Sequence, residues 1–237
     1  YFLNGAPLPG AAPAKPPPRN ALYRNDGNWR FTDVTEAARV GDTGYGLGVT
    51  AGDYDNDGDL DLYVNNFGPN VLYRNNGDGT FTDVTAQAGV ANGDQVGAGT
   101  CFLDMDADGD LDLYVANYVD FTFAKHRTVR FNGYPAYVGP MDYHPTPDTL
   151  HRNNGDGTFT DVSAESGIAA HPGTGMGMTC CDLDQDGDTD VFVGNDVAGN
   201  SVFANDGSGR FAEVGLESGL RSEEHTSELQ SPLNISY

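Results

Sequence analysis

The sequence predicts an all-β chain, a β-propeller of four-stranded blades, on three observations. An acidic stretch, DYDNDGDLDLYV at Asp53–Val64, returns as DMDADGDLDLYV at Asp104–Val115 and as DLDQDGDTDVFV at Asp182–Val193. A turn-rich stretch follows each copy: LYRNNGDGTFTDVT from Leu72, LHRNNGDGTFTDVS from Leu150 and VFANDGSGRFAEV from Val202. The spacing is 50 residues from Leu22 to Leu72 and 52 from Leu150 to Val202. Four short strands in such a period is the size of one propeller blade.

The first strand of the clearest repeat is Leu47 to Ala51, in GLGVTAG; GAGTCFL and GMGMTCC are its counterparts. The acidic loop follows, then a second strand, Leu60 to Asn65, and a third, Val71 to Arg74. Asn and Gly from Asn75 to Gly79 tolerate positive φ and close a hairpin onto a fourth strand, Thr80 to Thr85. One helical turn is expected over Ala86 to Val90, and no apolar period of 3.6 runs long enough for a substantial helix. Tyr73, Tyr23, Phe81 and Phe159 recur with the repeat and are expected in the core.

The expected organisation is a propeller fragment over 1–220, an incomplete propeller of three full blades and a partial one. The partial blade spans 1–41, and full blades span 42–92, 93–170 and 171–220. Leu72 to Leu150 is 78 residues, which places an insertion at 118–149. Ala6 to Arg19 is rich in Pro and Ala and is expected to run extended. The segment RSEEHTSELQS, from Arg221, fits no repeat and matches the translation of a sequencing-adapter oligonucleotide, so 221–237 is expected to be a non-native, disordered tail.

The charge is −23, and 15 of the 28 Asp lie in the three acidic loops. Such a chain repels nucleic acid and anionic surfaces, and cations are its natural partners. No apolar run is long enough to span a membrane. Three cysteines, Cys101, Cys180 and Cys181, predict no disulfide framework, and the adjacent pair points to opposite strand faces.

Two like charges about 4 Å apart repel by roughly 4 kcal/mol at an effective dielectric near 20, so the loops call for a cation. The spacing D-x-D-x-D-G-D-x-D suits a hard dication with six to eight oxygen ligands, Ca²⁺ better than Mg²⁺. The expected ligands are the side chains of Asp53, Asp55, Asp57 and Asp61 with the carbonyl of Asp59. The second set is Asp104, Asp106, Asp108, Asp112 and the carbonyl of Asp110. The third is Asp182, Asp184, Asp186, Asp190 and the carbonyl of Asp188. Three Ca²⁺ sites result. An EF-hand is excluded because its twelfth loop position, a Glu, is here Val64, Val115 and Val193, and the flanks alternate as strands.

Together, G-x-G, the acidic loop, LDLYV and LYRNNGDGTFTDVT resemble the FG-GAP or VCBS repeat, in the form found with cartilage acidic protein and ASPIC/UnbV-associated proteins. The resemblance covers residues 1–220. It implies an integrin-α-like propeller with Ca²⁺ between the first two strands of a blade, and an extracellular, periplasmic or envelope-exposed location.

The insertion carries Lys125, His126, Arg127 and Arg130 beside Tyr118, Phe121, Phe123, Phe131, Tyr134, Tyr137 and Tyr143. Strand alternation puts it opposite the acidic loops. It is either a surface for an unknown protein or glycan partner or a set of aromatics packed over neighbouring blades. His126, His144, His151 and His171 have no catalytic spacing, and no enzyme is expected. The expected function is a calcium-binding module for protein or glycan adhesion. The alternative is the accessory propeller of a secreted hydrolase or lyase.

Overall fold

A computed structural model describes residues 1–7 and 15–221. The remaining parts of the Pro-rich segment and of the expected adapter-derived tail lie outside the described residues. Phe2 bridges Ala21 ahead of a hairpin of β1 (Tyr23–Gly27) and β2 (Arg30–Asp33). The first full blade holds β3 (Tyr45–Gly52), β4 (Asp61–Asn75) and β5 (Phe81–Asp83) in that order. Here the expected second and third strands form one stretch, β4. It doubles back near Gly68, since the Asn75 amide at one end reaches Asp61 Oδ1 at the other, at 2.7 Å.

The second blade is β6 (Gly97–Leu103), β7 (Asp112–Asn117), β10 (Thr149–Asn153) and β11 (Phe159–Asp161). Between β7 and β10 the insertion adds a separate hairpin, β8 (Thr128–Phe131) with β9 (Tyr134–Tyr137). The third blade is β12 (Gly175–Cys181), β13 (Asp190–Asn195), β14 (Ser201–Asn205) and β15 (Phe211–Glu213). All these pairings are antiparallel.

Alternate side chains of each blade fill the layers between blades, as the two-residue period of a strand requires. Tyr63 and Leu72 face forward onto Leu113, Val115 and Phe159 of the next blade. Tyr114 and Leu150 face forward onto Val191, Val193 and Phe203. Val64 and Tyr73 face back onto Ala38 and Val40. Tyr73 and Phe159 are buried as expected, but Tyr23 is 40% exposed, because β1 and β2 are exposed throughout and its ring meets only the edge of Phe2.

The T-D-V-T motif, T-D-V-S in the second full blade, explains the end of the first two full blades, and the third has A-E-V-G in its place. Asp83 Oδ1 accepts from the Thr85 hydroxyl, and Thr85 Oγ1 accepts from the Leu72 amide. This stops the fourth strand and starts the helical turn α2 (Thr85–Ala88) after it, with α1 (Thr35–Ala38) and α3 (Gly215–Ser218) at matching places. Gly48 is required where β3 and β6 approach: a Cβ there would meet the Ala98 carbonyl oxygen at 2.5 Å.

The cysteines correct the sequence reading. Cys101 in β6 and Cys180 in β12 form a disulfide between the innermost strands of adjacent blades, with Cα atoms 7.0 Å apart, while Cys181 is free and exposed. GAGTCFL and GMGMTCC place the two cysteines one residue out of step. Cys101 therefore faces forward and Cys180 back, and they meet.

One buried carboxylate breaks the repeat. Asp148 stands where the first full blade has Asn70. Asn70 accepts from the Asn66 amide and donates to the Tyr63 hydroxyl. Asp148 accepts from the Asn117 amide and from the Tyr114 hydroxyl, both at 2.8 Å, and burial pushes its carboxyl up to about 7. Because the folded form holds a proton that the unfolded form has lost, this group's contribution falls as pH rises from about 4 to about 7. Asp148→Asn should therefore raise the melting temperature at pH 8 more than at pH 5. Equal shifts at both values, followed by calorimetry, would refute the assignment.

Candidate metal centre

Each acidic loop lies between the first two strands of a blade. Backbone amides turn the loop inward onto its first Asp. Asp53 accepts from the amides of Asp57 (3.1 Å) and Gly58 (3.0 Å), and Asp182 accepts from those of Gln185 (2.7 Å) and Gly187 (3.2 Å). In the second loop Asp104 accepts from Gly109, at 3.1 Å. Gly58, Gly109 and Gly187 hold φ of 94°, 92° and 100°, where a side chain is strained.

This folding brings carboxylate oxygens of Asp53, Asp55 and Asp57 within 4.8 Å of one another. Asp104, Asp106 and Asp108 converge in the same way, and so do Asp182, Asp184 and Asp190. Three oxygens on the first two loops, Asp55 Oδ1, Asp104 Oδ1 and Asp106 Oδ1, are buried with no hydrogen-bond partner. Burial, then the neighbouring carboxylate, raises the carboxyls of Asp55, Asp106 and Asp184. Buried oxygens without a donor cost free energy, and a dication suits a donor set made only of oxygens.

Other contacts hold the rest of each loop, and Asp190 takes part in both. Asp61, Asp112 and Asp190 are buried at the strand start, and each accepts two backbone amides. Asp61 takes those of Tyr54 and Asn75; Asp112 takes Met105 (2.9 Å) and Asn153 (2.8 Å); Asp190 takes Leu183 (2.8 Å) and Asn205 (2.9 Å). They latch the loop to the third strand, and burial raises Asp61 to about 6 and Asp112 to about 7. The side chains of Asp59, Asp110 and Asp188 lie against Gly77, Gly155 and Gly207 of the following hairpin. Asp186 Oδ1 accepts from the Asp188 amide.

Sequence reasoning missed the ties between blades. Asn153 donates to the Tyr54 carbonyl in the preceding blade's loop, and Asn205 donates to the Met105 carbonyl, both at 2.8 Å. Asn56 donates to Asp110 Oδ1, at 2.7 Å. The signal was present: Asn75, Asn153 and Asn205 hold one place in the repeat, but the partners that tie Asn153 and Asn205 to the preceding blade lie about 100 residues away in the chain.

Stacked antiparallel blades, each with an Asp loop between its first two strands, define a repeat-built β-propeller. Models of the FG-GAP-like repeat match residues 14–64, 55–115 and 132–193, and the chain belongs to that family. No curated protein is matched. A solved structure, a lectin of Agrocybe aegerita described for specific recognition of non-reducing terminal N-acetylglucosamine, is similar at 21% identity and a TM-score of 0.44. The likeness covers 85% of this chain and 49% of that one, so this chain spans about half of the lectin's length.

Proposed function

We propose that this chain is a calcium-binding propeller module, exposed outside the cytoplasm, whose work is to bind a protein or glycan partner. It has no catalysis of its own, and its blades divide at 41/42, 92/93 and 170/171. The observation that carries the metal reading is the set of buried, unpartnered oxygens on Asp55, Asp104 and Asp106. Ca²⁺ would take these with Asp53, Asp57 and Asp108, and in the third loop Asp182, Asp184 and Asp190. The ion would offset carboxylate repulsion and stiffen the blade. The disulfide between Cys101 and Cys180 supports an oxidising compartment, where Ca²⁺ is also abundant. FG-GAP-like repeats support a binding role, since the rigid scaffold displays loops at both ends of each blade.

Calorimetric titration of the chain with Ca²⁺ tests the reading. Saturation at sub-millimolar to millimolar Ca²⁺ is expected, with no response to Mg²⁺ at equal concentration. At a hundredfold excess over Kd one site adds about 2.7 kcal/mol. The melting temperature should then rise by about 5–10 °C over that in EGTA. A folded chain that takes up no Ca²⁺ would end the proposal.

A further inference from the structure

At the opposite end of the blades from the acidic loops, the insertion closes over the start of β3 and the turn of β4. It borders an open pocket of about 590 Å³, lined by Tyr45, Phe67, Tyr118, Phe121, Phe123 and Tyr137. The rings of Phe67, Phe121 and Phe123 form a triangle with centroids 5.3 to 5.7 Å apart. Apart from tyrosine hydroxyls and the His126 ring, no lining side chain carries a polar atom. The Tyr118 hydroxyl donates to Asp196, which sets a carboxylate behind one wall and makes that ring richer in electrons.

These walls discriminate between ligand classes. A sugar hydroxyl turned to these walls would leave water and meet few partners, at a cost of about 1–3 kcal/mol. An anion would meet a chain of charge −23 and no free cation on the wall. Two basic side chains of the insertion are engaged: Lys125 pairs with Asp120, and Arg127 donates to the Asp142 carbonyl. A quaternary ammonium has no N–H to satisfy, is attracted to aromatic faces and is drawn in by the field of an acidic protein.

We propose that this pocket binds a quaternary ammonium group of the trimethylammonium type. The proposal rests on no property of the acidic loops, and its test is run in saturating Ca²⁺ so that the two readings fail separately. The chain is titrated with choline, with its neutral tert-butyl isostere, which has carbon in place of nitrogen, and with N-acetylglucosamine. Choline should bind saturably and the isostere about tenfold more weakly, the size of a desolvated cation–π contact. N-acetylglucosamine should not bind at this pocket.

Phe123→Leu and Tyr137→Leu keep apolar bulk but remove the ring; these side chains are 45% and 82% exposed, so the fold should tolerate both changes. Each should weaken choline at least about fivefold with an unchanged melting temperature. Co-sedimentation with phosphatidylcholine vesicles, competed by choline, would assign the group to a lipid headgroup. Choline binding without co-sedimentation would assign it to a free small molecule. Equal binding of the neutral isostere, tighter binding of the sugar, no choline binding or full affinity in both variants would each overturn the proposal. The isostere comparison on the unaltered chain decides the matter even if a variant fails to fold.

Discussion

Asp112→Ala is expected to cost about 3 kcal/mol, because it strands two buried backbone amides, those of Met105 and Asn153. The side chain is buried at the start of β7. The loss should appear in full in EGTA, since the latch acts between protein groups. Asp108→Ala provides the contrast. Asp108 is exposed and lies in the carboxylate cluster, so its loss should leave stability in EGTA nearly unchanged and reduce the gain from Ca²⁺. Urea unfolding of both variants with and without Ca²⁺ checks this. If Asp112→Ala proved neutral in EGTA, the latch would be wrong.

Removing the disulfide should have a comparable effect. Cys101 and Cys180 are 79 residues apart in sequence, and a crosslink closing a loop of that size restricts the unfolded chain by about 4.5 kcal/mol in the chain-entropy treatment. Against a typical stability of about 5–15 kcal/mol this is a large share. Cys101→Ala with Cys180→Ala should therefore lower the denaturation midpoint sharply. The comparison belongs in a Cys181→Ser background, because the exposed free thiol sits next to the bond and would exchange with it. An unchanged midpoint would mean that the bond closes nothing the fold does not already hold.

Much of this was legible in the residues. Repetition exposed the blades, because each blade solves the same packing problem with the same alternation of Leu, Tyr and Val. The Asp and Gly spacing exposed the loops, because a turn that aims carboxylates inward needs positive φ at fixed places. What escaped was everything that joins residues of different blades. The pairing of Cys101 with Cys180 follows from a one-residue offset that matters only once two strands are known to lie side by side. Asp61, Asp112 and Asp190 read as ligands from spacing, but their further role as buried acceptors of backbone amides depends on a hairpin some residues onward. Likewise His151 occupies the place of Tyr73 and Phe203, buried with neither ring nitrogen partnered, and burial holds its pKa below that of a free imidazole. A linear pattern shows the substitution but not its surroundings.

The hydrogen bonds from Asn153 to the Tyr54 carbonyl and from Asn205 to the Met105 carbonyl point in one direction along the chain. A blade's own residues fold its acidic loop, but the last tie comes from the blade made after it. In synthesis order, the tie for a blade's loop therefore arrives after the blade itself. A chain made from the amino terminus would then lock its blades in order, each when the asparagine of the next is in place.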